Sequence, residues 1–178
     1  MMNIMMKTFW FCGLVFFISF SLVSCKSKSF EPVSNFEPEK YLGKWYEIVR
    51  MPNSFEKDLV NVTATYSMRK DGKIKVLNEG YKHTPRGKHS IAEGKAKFAG
   101  DRSKGYLRVS FFWIFYADYI IVDLDRDYRY AMVVSSEKYL WILSREPQLE
   151  KSILDALLEK AKSLGFDTQK LYFTPQSI

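Results

Sequence analysis

Cysteine is nearly missing from this 178-residue chain: there are two, Cys12 and Cys25. Both fall within the first 25 residues, so the remainder can form no internal disulfide and must stand on a hydrophobic core. Histidine is equally scarce. His83 and His89 share one short stretch, with no Ser-His-Asp arrangement or metal-ligand spacing around them, and they read as solvated loop residues. Nothing in the chain calls for a metal or a cofactor. Acidic side chains are outnumbered, 20 against 27 Lys and Arg, for a formal net charge of +7. The excess concentrates in "KHTPRGKH" (Lys82 to His89), with "DRSKG" (Asp101 to Gly105) adding a little. Those stretches read as solvated loops, with attraction to anionic lipid as the sharper alternative, while the scatter of the other basic residues and the N-terminal export signal argue against nucleic acid as a partner. A membrane-spanning run is lacking too. The segment Thr8 to Val23 is the greasiest in the chain, yet it falls short of the ~20 apolar residues that cross a bilayer.

What that segment does offer is an export signal: one positive residue (Lys7), a short apolar run and small residues at its end. It closes on "LVSC", Leu22 to Cys25. A cysteine directly after a small residue resembles the lipobox of bacterial lipoproteins; an ordinary signal with a chance cysteine is the alternative. The resemblance implies cleavage before Cys25 and a diacylglycerol on its thiol, the lipid attachment point. Two or more acyl chains anchor firmly where one holds weakly. Lys26 after the cysteine, rather than Asp, resembles the sorting pattern of outer-membrane lipoproteins, which implies the outer membrane of a cell envelope. Residues 1–24 are then a cleaved signal, 25–37 a lipidated tether and 38–178 the folded domain. Lys26 to Pro38, with two Pro and three Ser, suits a tether. Removing 24 residues leaves 154 (178 − 24), enough for one domain with a proper core.

The domain reads as strands. "NVTATYSM" places Val62, Ala64, Tyr66 and Met68 on one face, and "KIKVLNEG" places Ile74, Val76 and Asn78 together. The Asp-Gly pair in "KDGK" between them is a hairpin signal. "SIAEGKAKF" sets Ser90, Ala92, Gly94, Ala96 and Phe98 against Ile91, Glu93, Lys95 and Lys97. Further strands are expected around Trp45 to Arg50, Leu107 to Phe112, Tyr119 to Leu124, Tyr130 to Ser135 and Tyr139 to Ser144, eight in all. From Leu149 to Leu164 the spacing changes: Ile153, Leu154, Leu157, Leu158, Ala161 and Leu164 form a helical stripe, with Pro147 before it and Gly165 after it. Ala131, Val133, Leu140 and Ile142 are expected to supply the outer wall on which that helix lies. An eight-stranded antiparallel up-and-down β-barrel with one C-terminal α-helix on its side fits better than an open sandwich.

The inward sets are small or polar on the third and fourth strands (Asn78, Gly80, Ser90, Ala92, Gly94, Ala96) and aromatic elsewhere (Tyr66, Phe111, Tyr139, Trp141). They either line an apolar hollow with a few polar fixing points or fill the barrel solidly, and periodicity does not separate the two. "YLGKWYEI" (Tyr41 to Ile48), "IVDLDRDYRYAMV" (Ile121 to Val133) and "YLWILSREP" (Tyr139 to Pro147) resemble, in order, the three conserved segments of the lipocalins. That resemblance implies a signature of Gly43, Trp45 and Arg145, with Trp45 closing the barrel floor and Arg145 stacked on its indole. It implies a pocket that includes Tyr66 and Asn78, with Ile120 where a relative has a pocket tryptophan. Trp113 and Ile114 depart from the bacterial pattern, which has Gly-Pro there. The implied function is binding, storage or transport of a small lipid, a fatty acid or lysophospholipid, by a protein that is not an enzyme. A lipid-converting enzyme of the same family and a structural envelope protein with a filled cavity are the alternatives. Monomer and homodimer both remain open as assembly states.

Overall fold

A computed structural model describes residues 29–177. The signal segment, Cys25 and the first residues after it lie outside the described part. Eight strands run as an antiparallel meander: β1 (Gly43–Arg50), β2 (Leu59–Met68), β3 (Ile74–Lys82), β4 (His89–Phe98), β5 (Tyr106–Phe112), β6 (Phe115–Leu124), β7 (Tyr130–Ser136) and β8 (Tyr139–Ser144). Each pairs with the next, and β1 pairs with both β8 and β2, so the sheet closes on itself. Closure removes the free edges that an open sheet would expose. Pairing to β2 covers only the first half of β1, from Gly43↔Tyr66 to Tyr46↔Thr63. Beyond it a short β9 (Tyr172–Phe173) pairs with Val49 and Arg50. The tail then joins the two strands, Gln176 Nε2 donating to the carbonyls of both Glu47 and Val62.

Two apolar clusters lie on opposite faces of the sheet. The inner one contains Trp45, Tyr66, Ile74, Val76, Ala96, Leu107, Ile121, Val133 and Leu143, and fills the lower barrel. The outer one joins Val49, Met132, Val134, Leu140 and Ile142 to Leu157 and Ala161 of the helix α2 (Lys151–Ser163). Burying that stripe holds α2, since its N-cap, Glu150, makes no side-chain capping bond. Lys160 adds an ion pair to Asp123 of β6 at 2.6 Å. These contacts correct the expected wall. Leu140 and Ile142 do face the helix, whereas Ala131 and Val133 point into the barrel. The register decides it: Val133 is opposite Trp141 and Met132 opposite Ile142, and side chains alternate from Ala131 to Val134, before the register shifts at Ser136.

The expected tether is corrected as well. Phe30 and Phe36 are buried, 7% and 3% exposed, and Phe30 stacks on Phe166 at 5.8 Å. Val33 N donates to Ile121 O, and Val33 O accepts from Gly105 N. Two phenylalanines therefore fasten residues 30–37 to the barrel, inside a stretch whose Ser and Pro content suggests free chain. A short helix, α1 (Pro38–Tyr41), follows and crosses the floor end.

Candidate functional site

The floor is built around Trp45, which is fully buried. Its Nε1 donates to Tyr41 O at 2.8 Å, and the Tyr41 ring lies 4.7 Å away. Arg145 lies over the indole with its guanidinium carbon 3.9 Å from the ring centroid. Each of its three nitrogens donates to a backbone carbonyl: Nε to Tyr128 O (3.2 Å), Nη1 to Lys44 O (2.8 Å) and Nη2 to Lys40 O (2.8 Å). One planar fork thus ties α1, β1 and the β6–β7 connection across the bottom of the barrel. Gly43 lies beside it with φ 93, a backbone region that side chains with a Cβ rarely adopt. These three residues are structural: each holds the floor and none is free for chemistry.

Above the floor three phenol hydroxyls form a chain, Tyr41 to Tyr119 to Tyr66, both links 2.7 Å. Burial pushes all three hydroxyls up in pKa, Tyr41 and Tyr119 well above the ordinary tyrosine value. They stay neutral at ordinary pH and offer hydrogen bonds, not a nucleophile. Tyr119 was not among the residues read from the sequence, and it corrects one that was. Ile120 belongs to the outer cluster beneath α2, because it pairs with Val134 while its neighbour Tyr119 pairs with inward Leu107. Tyr119 occupies the pocket side in its place.

The remaining expected residues share the inner face. Asn78 pairs with Ala92, Val76 with Gly94 and Ile74 with Ala96. Toward the floor Ile74, Val76 and Ala96 are buried; further up Asn78 and Gly94 are half-buried and Ala92 exposed, and beyond them Gly80 is buried again. Gly94 does not leave a gap. A Cβ there would meet the Phe111 ring at 2.8 Å, so that ring already covers it. Tyr139 and Trp141 stack near the mouth at 6.1 Å. Asn78 Oδ1 is the one buried side-chain polar atom among the described residues without a hydrogen-bond partner. A buried acceptor left so costs about 1–3 kcal/mol until something donates to it.

A second polar group was missed by sequence reading. Glu47 and Arg50 are each 2% exposed and paired; Thr174 donates to Glu47, and Arg50 Nη2 donates to Glu56 O at 2.7 Å. Trp141 Nε1 donates to Glu56 Oε2 at 3.0 Å. Burial, then the nearby Glu56 charge, raises the Glu47 carboxyl to about 8 against the opposing pull of Arg50. Glu47 follows Trp45 by two in β1, so the same alternation that turns Trp45 inward carried the signal. The two histidines lie at the rim: His89 stacks on Tyr81 at 4.8 Å with its Nε2 3.3 Å from Glu79 Oε1, and His83 N donates to Asp58 O.

An eight-stranded barrel sealed at one end by a Trp–Arg floor has the architecture of a cup. Comparison with known proteins agrees. A lipocalin-like domain family matches residues 36–176, and the chain belongs to the lipocalin family. It is 49% identical over 151 residues to the outer membrane lipoprotein Blc of Vibrio cholerae, covering 84% of this chain and 88% of that protein. Identity to the Escherichia coli K12 Blc is 42% over 163 residues, covering 89% and 92%. Mouse apolipoprotein D is 34% identical over 168 residues, covering 89% and 86%. Among solved structures, insecticyanin of the tobacco hornworm superposes with a TM-score of 0.69 at 22% identity, covering 85% and 86%, which establishes the fold. The relationship to Blc places this chain among the outer-membrane lipoproteins of the family.

Proposed function

We propose that this protein is a lipid-anchored carrier whose barrel takes one acyl chain, from a fatty acid or a lysophospholipid, with its head group toward Asn78 and the tyrosine chain. The observation that carries this reading is the orphaned Asn78 Oδ1, an acceptor held on the barrel's inner face beside the apolar cluster. A ligand hydroxyl would satisfy it, and a lysophospholipid brings one on its glycerol. Two bonds within three tyrosine hydroxyls consume two protons, which leaves one donor among the three for a second contact. The acyl chain would gain ~0.8 kcal/mol for each CH₂ buried. Tyr66, Ala92, Phe111, Tyr139 and Trp141 are the proposed lining, with Gly94 beneath the Phe111 ring. Cys25 is the proposed attachment residue, and the protein acts by binding, not by turnover.

The test is mass spectrometry of lipids extracted from the purified protein. One acyl lipid per barrel, reduced in Asn78→Leu for species with a free hydroxyl, supports the reading. A barrel that purifies empty and takes up no fatty acid or lysophospholipid refutes it and favours a structural envelope role.

A further inference from the structure

The β5–β6 hairpin ends in four consecutive apolar residues, and none of them is covered. Phe112, Trp113, Ile114 and Phe115 are 79%, 89%, 75% and 77% exposed. Soluble surfaces tolerate single exposed hydrophobes, but four contiguous ones mark a contact site. Phe112 pairs with Phe115, so Trp113 and Ile114 form a two-residue turn. Trp113 takes φ 46, a backbone sign that glycine adopts most cheaply. A bulge between Val109 and Phe112, and the bond from Ser110 Oγ to Trp113 O at 3.4 Å, set the turn. Its side chains are therefore held outward on a fixed strand pair.

The meander puts this turn at the mouth end, opposite the Trp45 floor. Ile91, 60% exposed, lies at the mouth end of the adjacent β4. The neighbouring connection at that end, between β3 and β4, contains Arg86 and Lys88 and no acidic residue. Lower on the same flank Lys97 Nζ lies 4.6 Å over the Tyr116 ring, while Arg108 donates to Tyr116 O and is paired with Asp118 at 3.6 Å. An apolar tip of Trp, Phe and Ile with cations behind and beside it has the composition of an interfacial membrane contact.

We infer that the Phe112–Phe115 hairpin is a membrane-insertion tip, which dips into the surface of an anionic phospholipid bilayer and brings the barrel mouth against it. Three observations favour a bilayer over a second copy of this chain. The tip is convex and presents apolar groups around a turn, and a bilayer needs no complementary groove. The β3–β4 connection at the same end is basic, which suits anionic lipid and would repel its own copy. The described chain begins at Ser29, and four residues back to Cys25 reach at most about 14 Å. The last point rests on Cys25 as the anchor; a lipid there keeps a bilayer within reach of the barrel. The tip would let a lipid pass between bilayer and barrel without crossing water.

The test uses the full lipidated protein in phosphatidylglycerol-containing vesicles whose acyl chains are brominated. Tryptophan emission is measured for the parent, for Trp113→Phe and for Phe112→Ser with Ile114→Ser. Trp113 should be quenched by the bromines in the parent. Most of the quenching should be lost in Trp113→Phe, the remainder reading Trp45 and Trp141, and the lost component should fall about tenfold in the serine variant, which removes apolar area. Co-sedimentation reads the anchor separately. If the parent sediments with vesicles but Trp113 stays as accessible to aqueous iodide as free tryptophan, the anchor stands and the tip is refuted. If the parent does not sediment at all, both fail. A blue shift of Trp113 with rising protein concentration, without bromine quenching, assigns the tip to a second copy and overturns the inference.

Discussion

Replacing Trp45 or Arg145 tests the floor, and the structure sets the size of each effect. Trp45 is fully buried with Tyr41 on one side and Arg145 on the other. Its truncation to Ala should cost about 3–5 kcal/mol. Arg145→Ala loses a cation–π contact, about 0.5–2 kcal/mol. It also loses three hydrogen bonds to the carbonyls of Tyr128, Lys44 and Lys40, each about 1 kcal/mol. With partial solvation of those carbonyls, a total of roughly 2–4 kcal/mol follows. In a domain of this size 1 kcal/mol corresponds to about 2–4 °C in Tm. Because the side chains touch, the double variant should be less destabilised than the sum of the singles by about 1 kcal/mol. Arg145→Lys should recover little, since an ammonium keeps the charge but not the fork. The assay is urea unfolding of the four members of the cycle, with slopes compared to exclude a change in the denatured state. Additivity within error would refute the stacking as an energetic contact.

Cys25→Ser should abolish lipidation and release the protein from membranes or block its processing; normal cleavage with unchanged membrane fractionation would exclude the anchor. Glu47 gives a pH signature. Its carboxyl is raised above the ordinary value, to about 8, so the folded state holds a proton that the unfolded chain releases. Stability should therefore fall as pH rises from about 4.5 to about 8, and Glu47→Gln should flatten that fall when unfolding is followed by urea titration across the range. Replacement of His83 and His89 together should leave lipid affinity within a factor of about two, as surface changes usually do; an activity on lysophospholipid that disappears with either histidine would make this an enzyme.

Much of this architecture is legible in the sequence where alternation is clean. Val76 and Asn78, separated by one outward residue, announce their face, and the Leu157–Ala161 stripe announces a helix with one apolar wall. Legibility fails where both faces are apolar. "AMVV" in β7 and "IIV" in β6 contain no polar residue to mark the outside, so Ala131, Val133 and Ile120 receive a face only from their partners across the ladder. Tyr119 is found only once that register is known. Phe30 and Phe36 are hidden by the Ser and Pro around them, and β9 is two residues long, below any periodicity. The pair Glu47 and Arg50 was readable in part: a carboxylate on the inward series of β1 requires a partner, but Thr174 comes from the far end of the chain. Gly94 is ambiguous in the sequence for the opposite reason: a missing side chain there fits a hollow or a filled barrel equally, and only the structure shows the Phe111 ring covering it.

The central claim is that an acyl chain lies in the mouth half of the barrel, beside the exposed Ala92 and its partner Asn78. Titration of a fluorescent fatty acid into parent and Ala92→Trp protein, each verified as folded by circular dichroism, measures it most directly. The indole would occupy the space above Asn78, so binding should weaken by at least about a hundredfold, the equivalent of losing three or four buried CH₂ groups. An Ala92→Trp barrel that folds and binds the probe as tightly as the parent would contradict the account, because the chain could not then lie along that strand pair.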